Sequence, residues 1–356
     1  MSKESKILAD KAQSSAARQP WTAARIKDSF LNNALIIIMI FAAIIVAIRN
    51  PNFIKPASII NILSQTCAYL PAALGVGGCI VLAGTDLSAG RIVGITACIS
   101  ASLLQSVTAA NKMWVGLEPP PVLLVLIAAM LVGAAIGAFN GFFVAKFKMH
   151  PFIVTLGTQL IVYTFLLLYQ QAGNNGGMAI SGLDESYNSF IKGSLFKVAG
   201  TPIPNYVWLA LICVVVMWFI WNKTTFGKNM FALGSNEEAA KVSGVNVFMT
   251  TVLVFALAGA MYAVTGFIEG ARVGSNTANT GLNYEADAIA ACVIGGVSFV
   301  GGIGKISGVV IGVLMLRLIF VGLNMIGIDQ NLFYVIKGGI ILFACALDMR
   351  KYLVKK

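Results

Sequence analysis

The chain of 356 residues is 58% hydrophobic and only 11% charged, and its mean hydropathy is +0.84. Soluble globular domains carry about 25% charged residues, so this composition excludes a water-soluble fold and predicts a protein solvated by lipid. The net charge of +11 comes from basic residues scattered among apolar segments, which favours membrane orientation over nucleic-acid binding as its cause.

The N-terminal residues 1–30 are polar and of mixed charge, and they lack the pattern of a signal peptide. We interpret them as a cytoplasmic tail. Residues 31–356 are predicted to form one transmembrane domain of the all-α class, a polytopic helical bundle of about ten spans with interrupted helices. The spans are expected at 31–48, 66–83, 91–109, 121–145, 151–170, 205–222, 250–269, 286–298, 306–326 and 331–348.

Two segments are too short to cross a bilayer, which takes about 20 helical residues. Residues 56–65 are expected to form a separate short helix before the second span. The segment at 286–298 is expected to be a half-helix.

The distribution of Lys and Arg predicts the orientation of the bundle. With the N-terminus inside, the inner loops hold 15 of these residues and the outer loops hold 6. Since cytoplasmic loops carry the excess of positive charge, both termini are predicted to be cytoplasmic. The long connection 171–204 is then outside, and the connection 223–249 is inside.

Asp86 and Arg91 are the only charged residues between Lys55 and Lys112. A charge within a membrane costs several kcal/mol, roughly 3 at the centre of a span, unless it is paired or hydrated. Two interpretations of Asp86 remain open. It lies at a helix break on a solute pathway, or it caps the helix that follows.

Other features of the spans bear on a pathway. The stretch GRIVGI (90–95) is echoed by GKISGV (304–309), and paired interruptions of this kind are typical of transporters. Asp287, Arg317 and Lys337 also fall within predicted spans, and the two cations are interpreted as structural or interfacial.

The inner connection 223–249 contains a predicted helix of about two turns. Ser235 and Glu238 fit the S-x-x-E capping box, and Gly244 is placed to end the helix in a left-handed conformation. This helix either packs on its own protein or docks a cytoplasmic partner. Its candidate residues are Ser235, Asn236, Glu237, Glu238, Ala239, Ala240, Val242 and Gly244.

Motifs for catalysis, metal binding or cofactor binding are not recognised. The stretch GGIGKIS (301–307) resembles a phosphate-binding loop, but Phe299 and Ile306 replace the Gly and the Ser or Thr that a Walker A motif needs. The six cysteines lie singly in apolar segments, and His150 is the single histidine. We therefore predict a protein that is not an enzyme, with no metal and no cofactor.

Several longer stretches carry a family pattern. The chain resembles the permease subunits of ribose- and galactose-type ABC sugar importers, and within them the galactose and methyl-galactoside branch. The matching stretches are GTDLSAGR (84–91), GAAIGAFNGFFVAKF (133–147), HPFIVTLGT (150–158), FGKNMFALGSNEEAAKVSGVNV (226–247) and YEADAIAACVIGGVSFVGGIGKISGVVIGV (284–313), with WNKTTFGKN (221–229) and ALDMRKY (346–352) as galactose-like cues.

The resemblance implies a monosaccharide permease that works as a homodimer in the bacterial inner membrane. Its partners would be a cytoplasmic ATPase with tandem nucleotide-binding domains, a periplasmic sugar-binding protein and membrane lipid, and no nucleic acid. The helix at about 236–243 would be the coupling helix seated on the ATPase. Polar side chains in or beside the spans are candidates for hydrogen bonds to sugar hydroxyls on the pathway: Asp86, Ser88, Asn140 and Thr155.

Two alternatives remain. One is a permease of the same superfamily for ribose or another small solute, such as a branched-chain amino acid. The other is a proton-coupled secondary transporter in which Asp86 carries the proton. That second alternative lacks an acidic partner for Asp86, and it leaves the capped inner helix unexplained.

Overall fold

The computed structural model describes residues 34–353, so the predicted tail 1–30 lies outside the described residues. The regular elements of this part of the chain are thirteen α-helices, one short 3-10 helix (Pro51–Ile54) and one short β-hairpin. The first seven helices are α1 (Ala34–Arg49), α2 (Pro56–Val81), α3 (Ala89–Leu103), α4 (Val122–Phe147), α5 (Pro151–Gln171), α6 (Glu185–Lys192) and α7 (Tyr206–Lys223). The others are α8 (Thr225–Ser235), α9 (Glu237–Val242), α10 (Val247–Val273), α11 (Tyr284–Ile294), α12 (Ile306–Met325) and α13 (Gln330–Leu353).

Each of the ten predicted spans overlaps one of these helices, which confirms the polytopic helical fold. Six of the helices in the described part, α2, α4, α5, α7, α10 and α12, are long and apolar enough to cross a membrane. Helix α11 has only 11 residues, or about 16 Å at 1.5 Å per residue. Its length confirms the prediction of a half-helix.

The prediction of a separate helix at 56–65 is wrong, because α2 runs without interruption for 26 residues. It passes through Pro71, which lacks an N–H group and disturbs the hydrogen bonds of a helix. The N–H of Ala72 donates to Thr265 Oγ1 of α10 at 2.9 Å. A neighbouring helix thus supplies an acceptor for the N–H that directly follows the proline.

The third predicted span, 91–109, extends too far, because α3 ends at Leu103. Beyond it, Gln105 is buried and its side-chain amide donates to the carbonyls of Asn111 and Ser181. These contacts fold the chain back into the connection to α4. Hydropathy does not register such side-chain hydrogen bonds, so it placed the end of the span too late.

The bundle is built around α2 and α10. In α2, 72% of the most apolar window is buried, against 28% in each of α4, α5 and α7. Those three outer helices expose large apolar side chains, as lipid-facing helices do. On α4 the exposed fractions are 59% at Leu123, 60% at Leu124 and 66% at Leu131.

Helix α4 packs closely on α10 through glycines spaced four residues apart: Gly133, Gly137 and Gly141. A Cβ atom at Gly137 would lie 2.0 Å from the carbonyl oxygen of Phe255, and one at Gly259 would lie 2.0 Å from the carbonyl oxygen of Gly133. The two backbones are therefore in direct contact, as small-xxx-small sequences permit in membranes.

The bundle has two ends. The hairpin end carries α6 and the strands β1 (Ser194–Val198) and β2 (Thr201–Pro204), which pair antiparallel. Asp184 caps α6 there, and hydrogen bonds from the Ser186 hydroxyl and N–H hold the pKa of its carboxyl below the usual range. The α9 end carries α8 and α9, and α7 joins the two ends.

Two helix breaks lie at the α9 end. The first break, 82–88, separates α2 from α3, and the second break, 295–305, separates α11 from α12. The echoed stretches GRIVGI and GKISGV each lie where a helix begins after a break, at the start of α3 and at the start of α12. The predicted interruption of the helices is confirmed at both places.

Candidate functional site

The structure brings the four predicted pathway residues together in one hydrogen-bonded cluster. The backbone N–H and the hydroxyl of Ser88 donate to Asp86 Oδ1 at 2.9 and 2.6 Å. Asn140 Nδ2 of α4 donates to Ser88 Oγ at 2.9 Å, and Thr155 Oγ1 of α5 accepts from the N–H of Leu87 at 3.1 Å. The cluster ties the first break to two neighbouring helices.

These side chains bond to one another and to backbone, but Asp86 Oδ2 and Asn140 Oδ1 are buried without a hydrogen-bond partner among the described residues. Asp86, Ser88, Asn140 and Thr155 each have 0% exposure, and none of them lines either of the two cavities described below. Asp86 faces the backbone of its own break, in the manner of a capping residue. Their place on a solute pathway stays a prediction.

A polar cavity opens at the hairpin end. It has a volume of about 890 Å³ and lies between α2, α10, α12 and α13. Hydroxyl, amide and guanidinium groups on its wall provide both hydrogen-bond donors and acceptors. The lining residues are Ser58, Asn61, Gln65, Tyr69, Arg272, Arg317, Phe320, Val321, Asn324, Met325, Asn331, Phe333, Tyr334 and Lys337.

An ion network joins four helices beside this cavity. Arg317 Nη2 of α12 lies 2.7 Å from Asp287 Oδ2 of α11, and Lys337 of α13 pairs with the other oxygen of the same carboxylate. The Arg317 guanidinium stacks over the ring of Tyr69 of α2 at 3.4 Å, and that ring stacks on Tyr284 at 4.3 Å. A buried ion pair persists only when its ions have close partners; here Asp287 pairs with two cations, and Arg317 has both a carboxylate and an aromatic ring, although its Nε has no hydrogen-bond partner in the part of the chain that the structure describes.

The third cation of the cavity, Arg272, is also paired. Its Nε and Nη2 donate to the two carboxylate oxygens of Glu269, each at 2.8 Å.

Sequence reasoning missed the cavity as a site, because its wall combines residues of four helices. The available signal was the set of charges within apolar spans, Asp287, Arg317 and Lys337, of which the two cations were interpreted as structural.

At the α9 end the predicted capping box is wrong. Ser235 is the last residue of α8, and its hydroxyl donates to the carbonyl of Phe231 at 2.8 Å. Asn236 is the N-cap of α9 instead, and its Oδ1 accepts from the N–H of Ala239 at 2.9 Å. The cap moved by one residue because α8 continues up to Ser235, which leaves Asn236 as the extended residue between two helices.

The predicted end of this helix is confirmed. Gly244 has φ +85°, and its N–H donates to the carbonyl of Lys241 while the N–H of Val245 donates to that of Ala240, both at 3.0 Å. This is the Schellman arrangement. Helix α9 buries Ala240 and leaves Val242 88% exposed, so most of its surface is free.

A second cavity, of about 420 Å³, lies beside α9. Its wall includes residues 82–84 of the first break, the turn 148–151 and the carboxylates of Glu237 and Glu238. Among the described residues, no group of three or more His, Cys, Asp or Glu side chains is arranged to hold a metal ion.

This helical bundle matches a known family. A family model described as the permease component of branched-chain amino acid transport systems matches residues 58–345. The chain belongs to this permease family. The permease is therefore a membrane protein with a role in transport, and the family assignment confirms the prediction that it is not an enzyme.

Individual relatives cover nearly the whole permease. It is 45% identical to the galactose/methyl galactoside import permease protein MglC of Salmonella typhimurium and to that of Escherichia coli, over 93% of this chain and 98% of each relative. It is 35% identical to the ribose import permease protein RbsC of Escherichia coli, over 89% of this chain and 93% of the relative. No solved structure matches the permease significantly. These relatives confirm the resemblance to ribose- and galactose-type permeases.

Proposed function

We propose that this permease is the transmembrane subunit of an ATP-driven importer of galactose or methyl galactoside in the bacterial inner membrane. The observation that carries the proposal is the polar cavity of about 890 Å³ within a bundle of apolar helices. The greater identity to galactose/methyl galactoside permeases than to ribose permeases, 45% against 35%, favours the sugar.

The cavity at the hairpin end is suited to a neutral, hydroxyl-rich solute. Asn61, Gln65 and Asn324 offer amide donors and acceptors on its wall, while each cation there has a carboxylate partner. The excess of Lys and Arg in the opposite connections favours a hairpin end that faces the periplasm. The cavity would then be the periplasmic entrance of the pathway.

The proposed assembly contains further chains. A second copy of the permease forms a homodimer, and a periplasmic sugar-binding protein delivers the sugar to the outer connections 171–204 and 270–285. Both termini of the permease domain 31–356 are cytoplasmic, with the tail 1–30 on that side. A cytoplasmic ATPase with tandem nucleotide-binding domains binds the coupling loop 223–249.

Helix α9 is the proposed docking element for that ATPase. Glu237, Glu238, Ala239 and Val242 are exposed, while the two ends of the helix are held by Asn236 and by the Schellman turn. A helix this short is unstable alone, so the caps keep it formed before the partner binds.

Reconstituted uptake tests the proposal. Proteoliposomes containing the permease and its ATPase, supplied with the loaded galactose-binding protein, are expected to accumulate galactose only with ATP. Accumulation of ribose or of a branched-chain amino acid in place of galactose, with the matching binding protein, would favour the first alternative. Uptake driven by a proton gradient with the permease alone would overturn the ATP-driven mechanism.

The substitutions Asp86→Asn and Asp86→Ala separate a capping role from a proton-carrying role. Asparagine retains the Oδ1 that accepts both hydrogen bonds from Ser88, so we expect Asp86→Asn to retain uptake. Alanine removes two buried hydrogen bonds and leaves the Ser88 donors without their acceptor, which costs roughly 1–3 kcal/mol for each unsatisfied group, so it is expected to lower the melting temperature clearly. Uptake and thermal unfolding in detergent measure both effects, and loss of uptake in a stable Asp86→Asn variant would contradict the capping role.

The substitution Gly244→Val tests the docking role of α9. A β-branched residue at φ +85° is strongly disfavoured, so the end of α9 is expected to distort. We expect the variant to insert normally into the membrane. The amount of galactose imported per ATP hydrolysed is expected to fall at least tenfold. Gly116→Val is the matched control, because Gly116 has φ +82° and lies in a connection away from α9. Equal coupling in the two variants would exclude this helix terminus from docking.

A further inference from the structure

Three backbone segments meet directly beneath α9. We propose that this glycine junction, formed by residues 81–83, 234–235 and 301–302, is a rigid link that transmits displacement of α9 to the cavity-lining helices α2 and α12. The inference rests on the proposed function, in which α9 docks the ATPase. It assigns to named residues the route from the docking helix to the pathway.

The first contact joins the end of α8 to the end of α2. A Cβ atom at Gly234 would lie 1.7 Å from the carbonyl oxygen of Val81 and 2.9 Å from the nitrogen of Gly302. No side chain fits there, since real Cβ atoms do not approach backbone atoms so closely. The backbone of α8 therefore lies against the backbone of α2 without an intervening side chain.

The second contact brings the second break into the same place. Gly302 N–H donates to the carbonyl of Val81 at 2.8 Å. Gly301 and Gly302 have φ +90° and +68°, and Cβ atoms there would lie 2.4 Å from the Gly234 carbonyl oxygen and 2.0 Å from Ser235 Oγ. The carbonyl group of Val81 thus contacts both Gly234 and Gly302, which belong to the two other segments of the junction.

Helix α9 is attached to the junction through a single residue. Ser235 ends α8 and belongs to the junction, and Glu237 begins α9, so Asn236 alone lies between them. Asn236 is itself fixed by its hydrogen bond to Ala239. A displacement of α9 therefore reaches the junction with little room for the chain to absorb it.

Helix α2 runs from the junction to the cavity, and α12, which begins four residues after Gly302, runs to the same cavity. Along α2, Val81 and Tyr69 are twelve residues apart, which corresponds to about 18 Å. Along α12, Ile306 and Arg317 are eleven residues apart, or about 16 Å. Tyr69 and Arg317 both line the cavity and stack on each other. Moving the inner ends of these helices together must shift the cavity wall.

The junction also differs from ordinary packing between side chains. Side chains adapt by changing rotamers, whereas contacts between backbones and glycines hold each segment at a fixed separation. Ala83 adds to this constraint, because it is held at φ +58° where the first break leaves α2. The first break in turn is bound to α4 and α5 through the Asp86 cluster.

A flexible insertion tests the link without disturbing its packing. Insertion of two glycines between Ser235 and Asn236 leaves the junction and α9 intact but makes their connection flexible. We expect the ATPase subunit to copurify and to hydrolyse ATP, while galactose imported per ATP falls at least tenfold. The control is the same insertion between Gly116 and Leu117, an exposed loop at the other end of the bundle, which is expected to retain coupling.

The outcomes are distinct. Coupling within twofold of the unmodified permease after the 235–236 insertion would overturn the rigid link, and so would loss of ATPase binding. Absence of ATP-dependent uptake in the unmodified permease would instead overturn the proposed function itself. The two failures are therefore separable in one series of preparations.

The substitution Gly234→Ala tests the contact within the junction. The new Cβ must displace the Val81 carbonyl. We therefore expect the Gly234→Ala permease, once inserted in the membrane, to support ATP hydrolysis with little galactose uptake. Gly157→Ala, in α5, has no atom within 4 Å of the new Cβ and is the control. Unchanged coupling in Gly234→Ala would overturn the role of the junction. The insertion variant gives an independent result if Gly234→Ala fails to accumulate.

Discussion

Gly137→Leu is expected to prevent the helices of the permease from packing into a folded bundle. A Cβ atom at Gly137 would lie 2.0 Å from the carbonyl oxygen of Phe255 and 2.8 Å from its carbonyl carbon. Overpacking a core against movable side chains costs typically about 1–3 kcal/mol. Here the obstacle is the backbone of α10, so the two helices must separate.

Separation of α4 from α10 would propagate along both helices. Gly133 and Gly259 contact each other's backbones one turn away, and their contacts require the same short distance between the helix axes. The loss should therefore exceed that of a single overpacked residue and consume much of a typical stability of roughly 5–15 kcal/mol.

Size-exclusion chromatography and thermal unfolding in detergent measure this effect. We expect Gly137→Leu to aggregate and Gly137→Ala to fold with a reduced melting temperature. Gly157→Leu provides the control, because it adds the same side chain to α5 at a position with no atom within 4 Å. A melting temperature for Gly137→Leu equal to that of the control would show that α4 and α10 are not in backbone contact.

The limits of sequence reasoning follow from the range over which each feature is encoded. The length of an apolar segment is a property of contiguous residues, so each predicted span corresponds to a helix. The end of α9 was also predictable, because a Schellman turn depends on one glycine, Gly244, and its near neighbours. The N-cap was misplaced because Ser235 and Asn236 are both good caps, and only the extent of α8 decides between them.

Features that combine segments distant in the sequence were harder to predict. The pathway candidates Asp86, Ser88, Asn140 and Thr155 were selected as polar residues among apolar ones. That selection found a real cluster, yet it did not reveal which of these groups bond to one another, because they come from three separate segments. The cavity wall was missed for the same reason, and its strongest signal was a set of charges whose pairing depends on how three helices, α11, α12 and α13, pack.

Asp287→Asn is expected to cause the largest loss of stability among substitutions in the ion network beside the cavity. Asp287 is the shared partner of Arg317 and Lys337, and its removal leaves two cations facing each other in a largely buried site. Removing one partner of a buried ion pair typically costs about 3–5 kcal/mol. Repulsion between the remaining cations adds to that cost.

A charge-matched series separates this electrostatic cause from a simple change of shape. Lys337→Met alone leaves the pair between Arg317 and Asp287 at 2.7 Å intact, so its melting temperature should stay close to that of the unmodified permease. Combining Asp287→Asn with Lys337→Met returns the site to a single cation, which Tyr69 still stacks against. The double variant should therefore melt above Asp287→Asn, although it carries one more substitution. If the double variant melts lower than Asp287→Asn, the two cations do not repel each other through this site, and Asp287 stabilises the bundle through packing rather than charge.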